Sequence, residues 1–290
     1  MTIEYAKAHS TPKPWGVVDT RPWFAKTDGI QTIGEIWYER SNSTAAPPSL
    51  LLKLLFTNEP LSIQVHPDDA YAQSIGLPNG KTEAWYVLSA APGSKVALGL
   101  KLHLTSQQLR NAIDDGSISD LVAWQAVHTG DTTLVPAGTI HAIGAGLIIA
   151  EIQQRSDTTF RLFDHGRGRT LNIKGAIAVA DAGPAGICVT PGLQTDSRTL
   201  LTSNPYFTFE RIDLAPGSSW QLEAPGETWL LTISGSASVD QFDVIIGDTI
   251  FAEQDCIDVR SGKDGLVGLV AYAGSIVPHM LKRIDKGTAQ

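Results

Sequence analysis

Sulfur is scarce in this 290-residue chain, which has two cysteines, Cys188 and Cys256, and two methionines. Two cysteines are too few for a disulfide framework and neither lies in a CxxC pair, which excludes a sulfur-ligated metal centre. Any metal must be held by nitrogen and oxygen, and only seven histidines can supply the nitrogen. Basic charge is also short. Lys and Arg number 22 against 30 Asp and Glu, a net −8 with no basic block, so nucleic acid is not an expected partner. Long apolar runs are missing: 50–55, interrupted at Lys53, and 147–150 fall far short of the ~20 residues a membrane helix needs. Residues 1–10 lack the apolar segment of a secretion signal. The expectation is a cytoplasmic protein without a membrane partner.

What is present is an ordinary globular composition, 42% hydrophobic and 18% charged, long enough for roughly two units at ~150 residues each. Short alternating segments separated by Gly, Pro and Asp, such as 61–66 and 81–88, read as strands. Residues 105–127 change period, with Leu104, Leu109, Ile113, Leu121 and Trp124 at helical intervals and Thr105 placed to cap before Gln108. This predicts a helical insertion. Strands resume over 134–143, 147–153 and 158–163. The aperiodic, turn-rich stretch 180–191 reads as a linker, and a second set of strands follows over 206–214, 219–222, 228–233, 237–242, 249–251, 256–259 and 266–272.

The two sets resemble each other. Glu83-Ala84-Trp85-Tyr86-Val87-Leu88 matches Glu227-Thr228-Trp229-Leu230-Leu231-Thr232, and Gly130-Asp131-Thr132 matches Gly247-Asp248-Thr249. The Glu-to-Gly interval is 47 residues (130 − 83) in the first and 20 (247 − 227) in the second, a difference close to the length of the helical insertion. Self-similarity of this kind predicts a duplicated β-architecture, divided into 1–180 and 190–290. His141 in the first copy corresponds to Asp258 in the second, so metal chemistry is expected only in the first.

Alternate residues of a strand share a face. Gln64 and His66 therefore point together, opposite Ile63 and Val65, while Lys81, Glu83 and Trp85 share a face opposite Ala84 and Tyr86. If His141 reaches the same interior from a third strand, the set is two imidazoles, one carboxylate and one amide oxygen. Such a set suits Zn²⁺, with Mn²⁺, Fe²⁺, Co²⁺ and Ni²⁺ open on ligand type. The other histidines, His9, His103, His128, His165 and His279, lack such context and read as surface or structural residues.

Residues 130–141, GDTTLVPAGTIH, resemble the second motif of the cupin superfamily, with Ala145 where an Asn often ends it. With 62–68 (SIQVHPD), 80–83 (GKTE), 135–143 (VPAGTIHAI) and 156–161 (SDTTFR), the chain resembles the type I mannose-6-phosphate isomerase family in its short bacterial form. Lys13-Pro14-Trp15-Gly16 and Gly34-Glu35-Ile36-Trp37 look like that family's opening segments. The likeness covers about 12–180; the C-terminal third matches only in general character. It implies a mainly β fold of two cupin-like jelly-roll barrels in tandem and one Zn²⁺ held by Gln64, His66, Glu83 and His141. It further implies Arg161, Lys81, Asp157 and Glu151 as catalytic residues, and Lys81, Arg161 and Trp85 around a phosphosugar. Arg161 could alternatively be structural, paired with Asp157.

The reaction so implied interconverts mannose 6-phosphate and fructose 6-phosphate through a cis-enediol. That chemistry requires a Lewis acid, a proton carrier and a cation for the phosphate. Three readings compete: an Fe(II) oxygenase, since two His and one carboxylate also describe that site; a catalytically idle sugar-binding cupin; and an isomerase of another phosphosugar. Lys81, Arg161 and the fourth ligand Gln64 favour a phosphosugar over the oxygenase.

Overall fold

The computed structural model describes residues 2–25, 31–42, 44–185 and 192–284. Its first half contains β1 (Thr2–Tyr5), β2 (Lys7–Val17), β3 (Ile33–Glu39), β4 (Leu50–Thr57), β5 (Ile63–Val65), α1 (Asp69–Ser74), β6 (Glu83–Ala90), β7 (Lys95–Leu100), α2 (Ser106–Asp114), α3 (Ile118–Leu121), β8 (Val122–Ala126), β9 (Thr132–Val135), β10 (His141–Ile143), β11 (Leu147–Gln154), β12 (Phe160–Phe163) and α4 (Ile173–Val179). The second contains β13 (Gly192–Thr195), β14 (Arg198–Ser203), β15 (Phe207–Leu214), β16 (Ser219–Ala224), β17 (Thr228–Val239), β18 (Phe242–Ile245), β19 (Thr249–Glu253), β20 (Asp255–Ala273) and β21 (Leu281–Arg283). The fold is mainly β and jelly-roll-like, as expected, with sheets that do not close into complete barrels.

In the first half a six-stranded sheet, ordered β2-β3-β4-β11-β6-β9, faces a five-stranded sheet, ordered β12-β5-β10-β7-β8. Between them lies a core of Leu55, Trp85, Val87 and Ile149 from one sheet with Val96, Leu98 and Ile143 from the other. The outer face of the five-stranded sheet, Ile63, Val65, Ala97 and Ala142, is covered by Leu109, Ala112, Ile113, Ile118 and Ala176 of α2, α3 and α4. The Thr105 cap forms: its hydroxyl accepts from the Gln108 backbone at 3.2 Å and its N–H donates to Gln108 Oε1 at 2.8 Å, a reciprocal capping box. The helical insertion is shorter than 105–127, because Val122–Ala126 is strand β8, hydrogen-bonded to β7.

The outer face of the six-stranded sheet does not meet water. Ile36, Tyr38, Leu52, Leu54, Phe56, Ala84, Tyr86 and Ile152 pack against Phe207, Phe209, Trp229, Leu231, Phe251 and Leu269 of the C-terminal sheet. Both faces of β4 are thus covered, and every residue from Leu50 to Thr57 is buried. A strand so placed loses the usual polar alternation. The ten-stranded C-terminal sheet folds on itself through the long strands β17 and β20, enclosing a second apolar interior that includes Ile212, Leu214, Leu230, Val259 and Val270.

Two features cross the expected division near residue 180. Strand β1 pairs antiparallel with β19, so the first strand of the chain lies in the C-terminal sheet. The described part of the expected linker, up to residue 185, is bound to the first half: Asp181 N–H donates to Gly138 O, while Leu100 and Leu104 N–H donate to the carbonyls of Gly183 and Ala182. Low periodicity there marks backbone that pairs irregularly. The rest of that stretch, with Cys188, lies outside the described residues. Cys256 is an exposed free thiol, and no helix among the described residues is long and apolar enough to cross a membrane.

Candidate metal centre and adjoining cleft

Strand register assembles the polar groups. In the five-stranded sheet His141 of β10 lies opposite Gln64 of β5, and Gln64 lies opposite Arg161 of β12. The six-stranded sheet carries a second row, Trp37–Lys53–Glu151–Trp85, across β3, β4, β11 and β6. Glu83 sits two residues before Trp85 on the same interior face. His66 follows the end of β5, and its neighbour Pro67 turns the chain toward α1.

His66, Glu83 and His141 are buried, and their ligand atoms all lie within 4.8 Å of one another. His66 Nε2 is 3.5 Å from Glu83 Oε2, and His141 Nε2 is 3.4 Å from Glu83 Oε1. Ligands held at about 2.0–2.1 Å in a tetrahedron are spaced at about 3.3 Å, so these separations suit a small divalent ion. The opposite ring nitrogens are occupied by backbone: His66 Nδ1 donates to Thr158 O at 2.8 Å and His141 Nδ1 to Thr139 O at 2.9 Å. These contacts select the tautomer that leaves each Nε2 lone pair facing Glu83. Among the described residues His66 Nε2 finds no hydrogen-bond partner although it is buried, an orphan that a metal bond would satisfy. Gln64 Nε2 is 3.2 Å from His141 Nε2, and turning the amide over directs its oxygen to the same place. The donor set therefore fits a divalent cation.

The electrostatics agree. Burial, reinforced by Lys81, holds the His66 imidazole down at about 3, and burial likewise lowers His141. Both are neutral donors at physiological pH. Burial opposes ionisation of Glu83, yet Lys81 and His66 hold its carboxyl well below the usual range; Lys81 Nζ lies 2.8 Å from Glu83 Oε2. Burial disfavours the Lys81 ammonium, but Glu83 and Glu151 more than offset that and raise it. Glu151 moves the other way: burial, then Glu83, pushes it up to about 7. Trp85 Nε1 joins the two carboxylates, donating to Glu83 Oε1 at 3.0 Å and Glu151 Oε2 at 3.2 Å.

Beside the trio runs a cleft lined by Gln64, Lys81, Glu151, Asp157 and Arg161, together with Lys13, Glu35, Lys53 and Arg169. Of the residues singled out from sequence, Gln64, Lys81, Glu151, Asp157 and Arg161 line it, His66, Glu83 and His141 are buried close by, and Trp85 is buried beneath it. Among the described residues Arg161 has no carboxylate within 4.0 Å. Among the described residues the cation within 4.0 Å of Asp157 is Lys53; Asp157 precedes β12, and the expected pairing with Arg161 does not form.

Sequence reasoning missed Lys53, Lys13, Glu35 and Arg169 as cleft residues. Lys53 left a signal: it is the charge that interrupts the apolar run 50–55. Lys13 and Glu35 stand in the two opening segments, which interlock. A Cβ on Gly34 would come within 2.4 Å of Lys13 Cβ, and one on Gly16 within 2.4 Å of the Ile33 carbonyl carbon.

The second copy uses its equivalent residues differently. Trp229 Nε1 donates to Glu227 Oε1 at 2.9 Å, the same i,i+2 bond as Trp85 to Glu83. Glu227 also accepts from Leu50 N–H at 2.9 Å and from the Ser49 N–H and hydroxyl at 2.5 and 2.7 Å. Asp258 is exposed on β20.

No family model matches the chain. It is 40% identical over 196 residues to the mannose-6-phosphate isomerase of Streptococcus mutans, a stretch covering 63% of this chain and 60% of that protein. It is 38% identical over 139 residues to mannose-6-phosphate isomerase ManA of Bacillus subtilis, covering 46% of this chain and 44% of that protein. The chain thus spans about half the length of these curated relatives. Among solved structures, a mannose 6-phosphate isomerase from Bacillus subtilis superposes with a TM-score of 0.80 over 94% of this chain and 100% of the other, at 21% identity. A point mutant of phosphomannose isomerase from Salmonella typhimurium superposes with a TM-score of 0.74, covering 94% and 100% of the two chains at 14% identity. In sequence over the matched stretch and in fold over nearly its whole length, the chain resembles the mannose-6-phosphate isomerases.

Proposed function

We propose that the protein is a zinc-dependent aldose–ketose isomerase interconverting mannose 6-phosphate and fructose 6-phosphate through a cis-enediol, working in the cytoplasm. The observation that carries this reading is a buried His–Glu–His trio beside a cleft whose lining carries Arg161, which has no paired carboxylate among the described residues, in a chain 40% identical over 196 residues to a mannose-6-phosphate isomerase. The chemistry belongs to residues 1–180. Residues 190–290 carry a degenerate copy, without a metal-ligand group among the described residues, whose counterpart of Glu83 clasps the start of β4.

Gln64, His66, Glu83 and His141 would hold the ion, which supplies Lewis acidity to the sugar oxygens. Arg161 binds the dianionic phosphate; its planar fork matches phosphate oxygens. Lys81, held protonated, balances charge developing on the enediol oxygens. Glu151 carries the proton: as carboxylate it removes the C2 hydrogen of the open-chain aldose, and as acid it returns a proton to C1, giving the ketose after the enediol O1 and O2 protons redistribute. A group near 7 suits both halves of that transfer. Asp157 sits at the mouth of the cleft, and Trp85 fixes the Glu151 and Glu83 carboxylates from below.

Chelation is expected to abolish turnover of mannose 6-phosphate in a coupled assay, and Zn²⁺ to restore it; full activity after verified metal removal would sink the assignment. A panel of pentose, hexose and heptose phosphates, read as kcat/KM with Zn²⁺ loaded, tests the substrate.

A further inference from the structure

Lys53 is a buried cation in the middle of a strand that is buried from end to end. Its ammonium lies 3.7 Å from Glu151 Oε1, 4.0 Å from Asp157 Oδ1 and 4.2 Å from the centroid of the Trp37 ring. Neither carboxylate is within hydrogen-bonding distance, so the charge is held by three loose contacts among the described residues. As a stabilising element this is a poor arrangement, since burying an ammonium costs more than distant partners return. An apolar side chain would complete β4 better.

The two carboxylates it faces come from different parts of the chain. Glu151 is opposite Lys53 in the β11–β4 register. Asp157 belongs to the 156–161 segment, whose Thr158 carbonyl orients His66 and which ends at Arg161. One ammonium therefore spans the floor of the cleft and the segment along its rim, while Trp37 limits its swing from the far side. We propose that Lys53 is a positioning residue for the isomerisation: it holds Glu151 and Asp157 in register with each other across the cleft. Resting as it does on the isomerase reading, this role makes Lys53 act through Glu151 and not on the sugar.

Lys53→Met, of similar length and uncharged, tests this in the zinc-loaded enzyme, alone and combined with Glu151→Gln. The expected result is kcat lowered by about 100-fold, the scale for a misplaced reacting group, with KM within about threefold and zinc content unchanged. In the Glu151→Gln background the same substitution should cost less than about threefold, because coupled residues are not additive. Should Lys53→Met fail to fold, Lys53→Arg carries the test: kcat within about tenfold of wild type supports the role, and a loss as deep as that of Glu151→Gln overturns it. Wild-type kcat in Lys53→Met, or an equal loss in both backgrounds, overturns the role while leaving the isomerase reading intact. A wild-type enzyme that does not turn over mannose 6-phosphate overturns both.

Discussion

Glu227 joins the two halves of the molecule, and removing its carboxylate has a calculable cost. It accepts four hydrogen bonds, from Leu50 N–H, Trp229 Nε1–H and both donors of Ser49, at 2.5–2.9 Å. Ser49 is exposed and recovers water when its acceptor goes, whereas Leu50 and Trp229 are buried at 1% and 0% exposure and recover nothing. Two stranded buried donors at about 1–3 kcal/mol each put Glu227→Ala at about 2–6 kcal/mol. For a chain of this size that lowers Tm by about 10 °C at the usual 2–4 °C per kcal/mol. Glu227→Gln keeps one carbonyl oxygen and should lose about half as much. Calorimetry on the zinc-loaded protein measures both. A fall of less than about 2 °C in Glu227→Ala would refute the reasoning, since it would mean that water or another acceptor satisfies Leu50 and Trp229.

Arg161→Ala should lower kcat/KM for mannose 6-phosphate by about 100-fold or more without changing the zinc content by elemental analysis, because Arg161 touches none of the three buried ligands; loss of metal instead would move Arg161 from substrate to scaffold. In the metal-free protein, His66 at about 3 against 6.5 when unfolded means that the unfolded chain binds the extra proton between those values, so its contribution to stability grows as pH rises toward 6.5. Glu151, raised to about 7 from 4.5, works oppositely: its contribution is complete below 4.5 and is lost as pH rises through 7. Glu151→Gln removes the opposing member, so urea midpoints of the metal-free variant should climb more steeply from pH 5 to 7 than those of wild type, and a shallower climb would contradict the assigned shift.

The local arrangement of the ligands was legible in sequence because strand alternation is a strict period of two. Gln64 and His66, or Glu83 and Trp85, cannot share a face unless the intervening residue takes the other, and Val65 and Ala84 do so, one under the helices and one against the C-terminal sheet. Long-range pairing left no such trace. The placement of β1 beside β19 depends on contacts between chain segments some 250 residues apart, and nothing in Thr-Ile-Glu-Tyr distinguishes a strand of one sheet from a strand of another. The split of 134–143 into β9 and β10 and the fusion of 256–259 with 266–272 into β20 are errors of the same origin, since bends and bulges are set by partner strands.

Glu83 and Glu227 show most clearly what a sequence patch determines. Both are Glu-x-Trp at the start of a strand, and in both the indole nitrogen donates to the carboxylate two residues back. That local bond spends one lone pair and leaves the remainder directed away from the strand. Opposite Glu83 stand the two imidazoles of His66 and His141, and the remaining capacity is available for a cation. Opposite Glu227 stand two backbone N–H groups at the edge of β4, and the same capacity ties one half of the molecule to the other. The motif supplies an oriented carboxylate, and the strand across from it decides whether that carboxylate serves chemistry or cohesion. Lys53 follows the same logic in reverse: a charge that fits no local pattern in an apolar strand acquires its meaning only from Glu151 and Asp157, which the fold brings to face it.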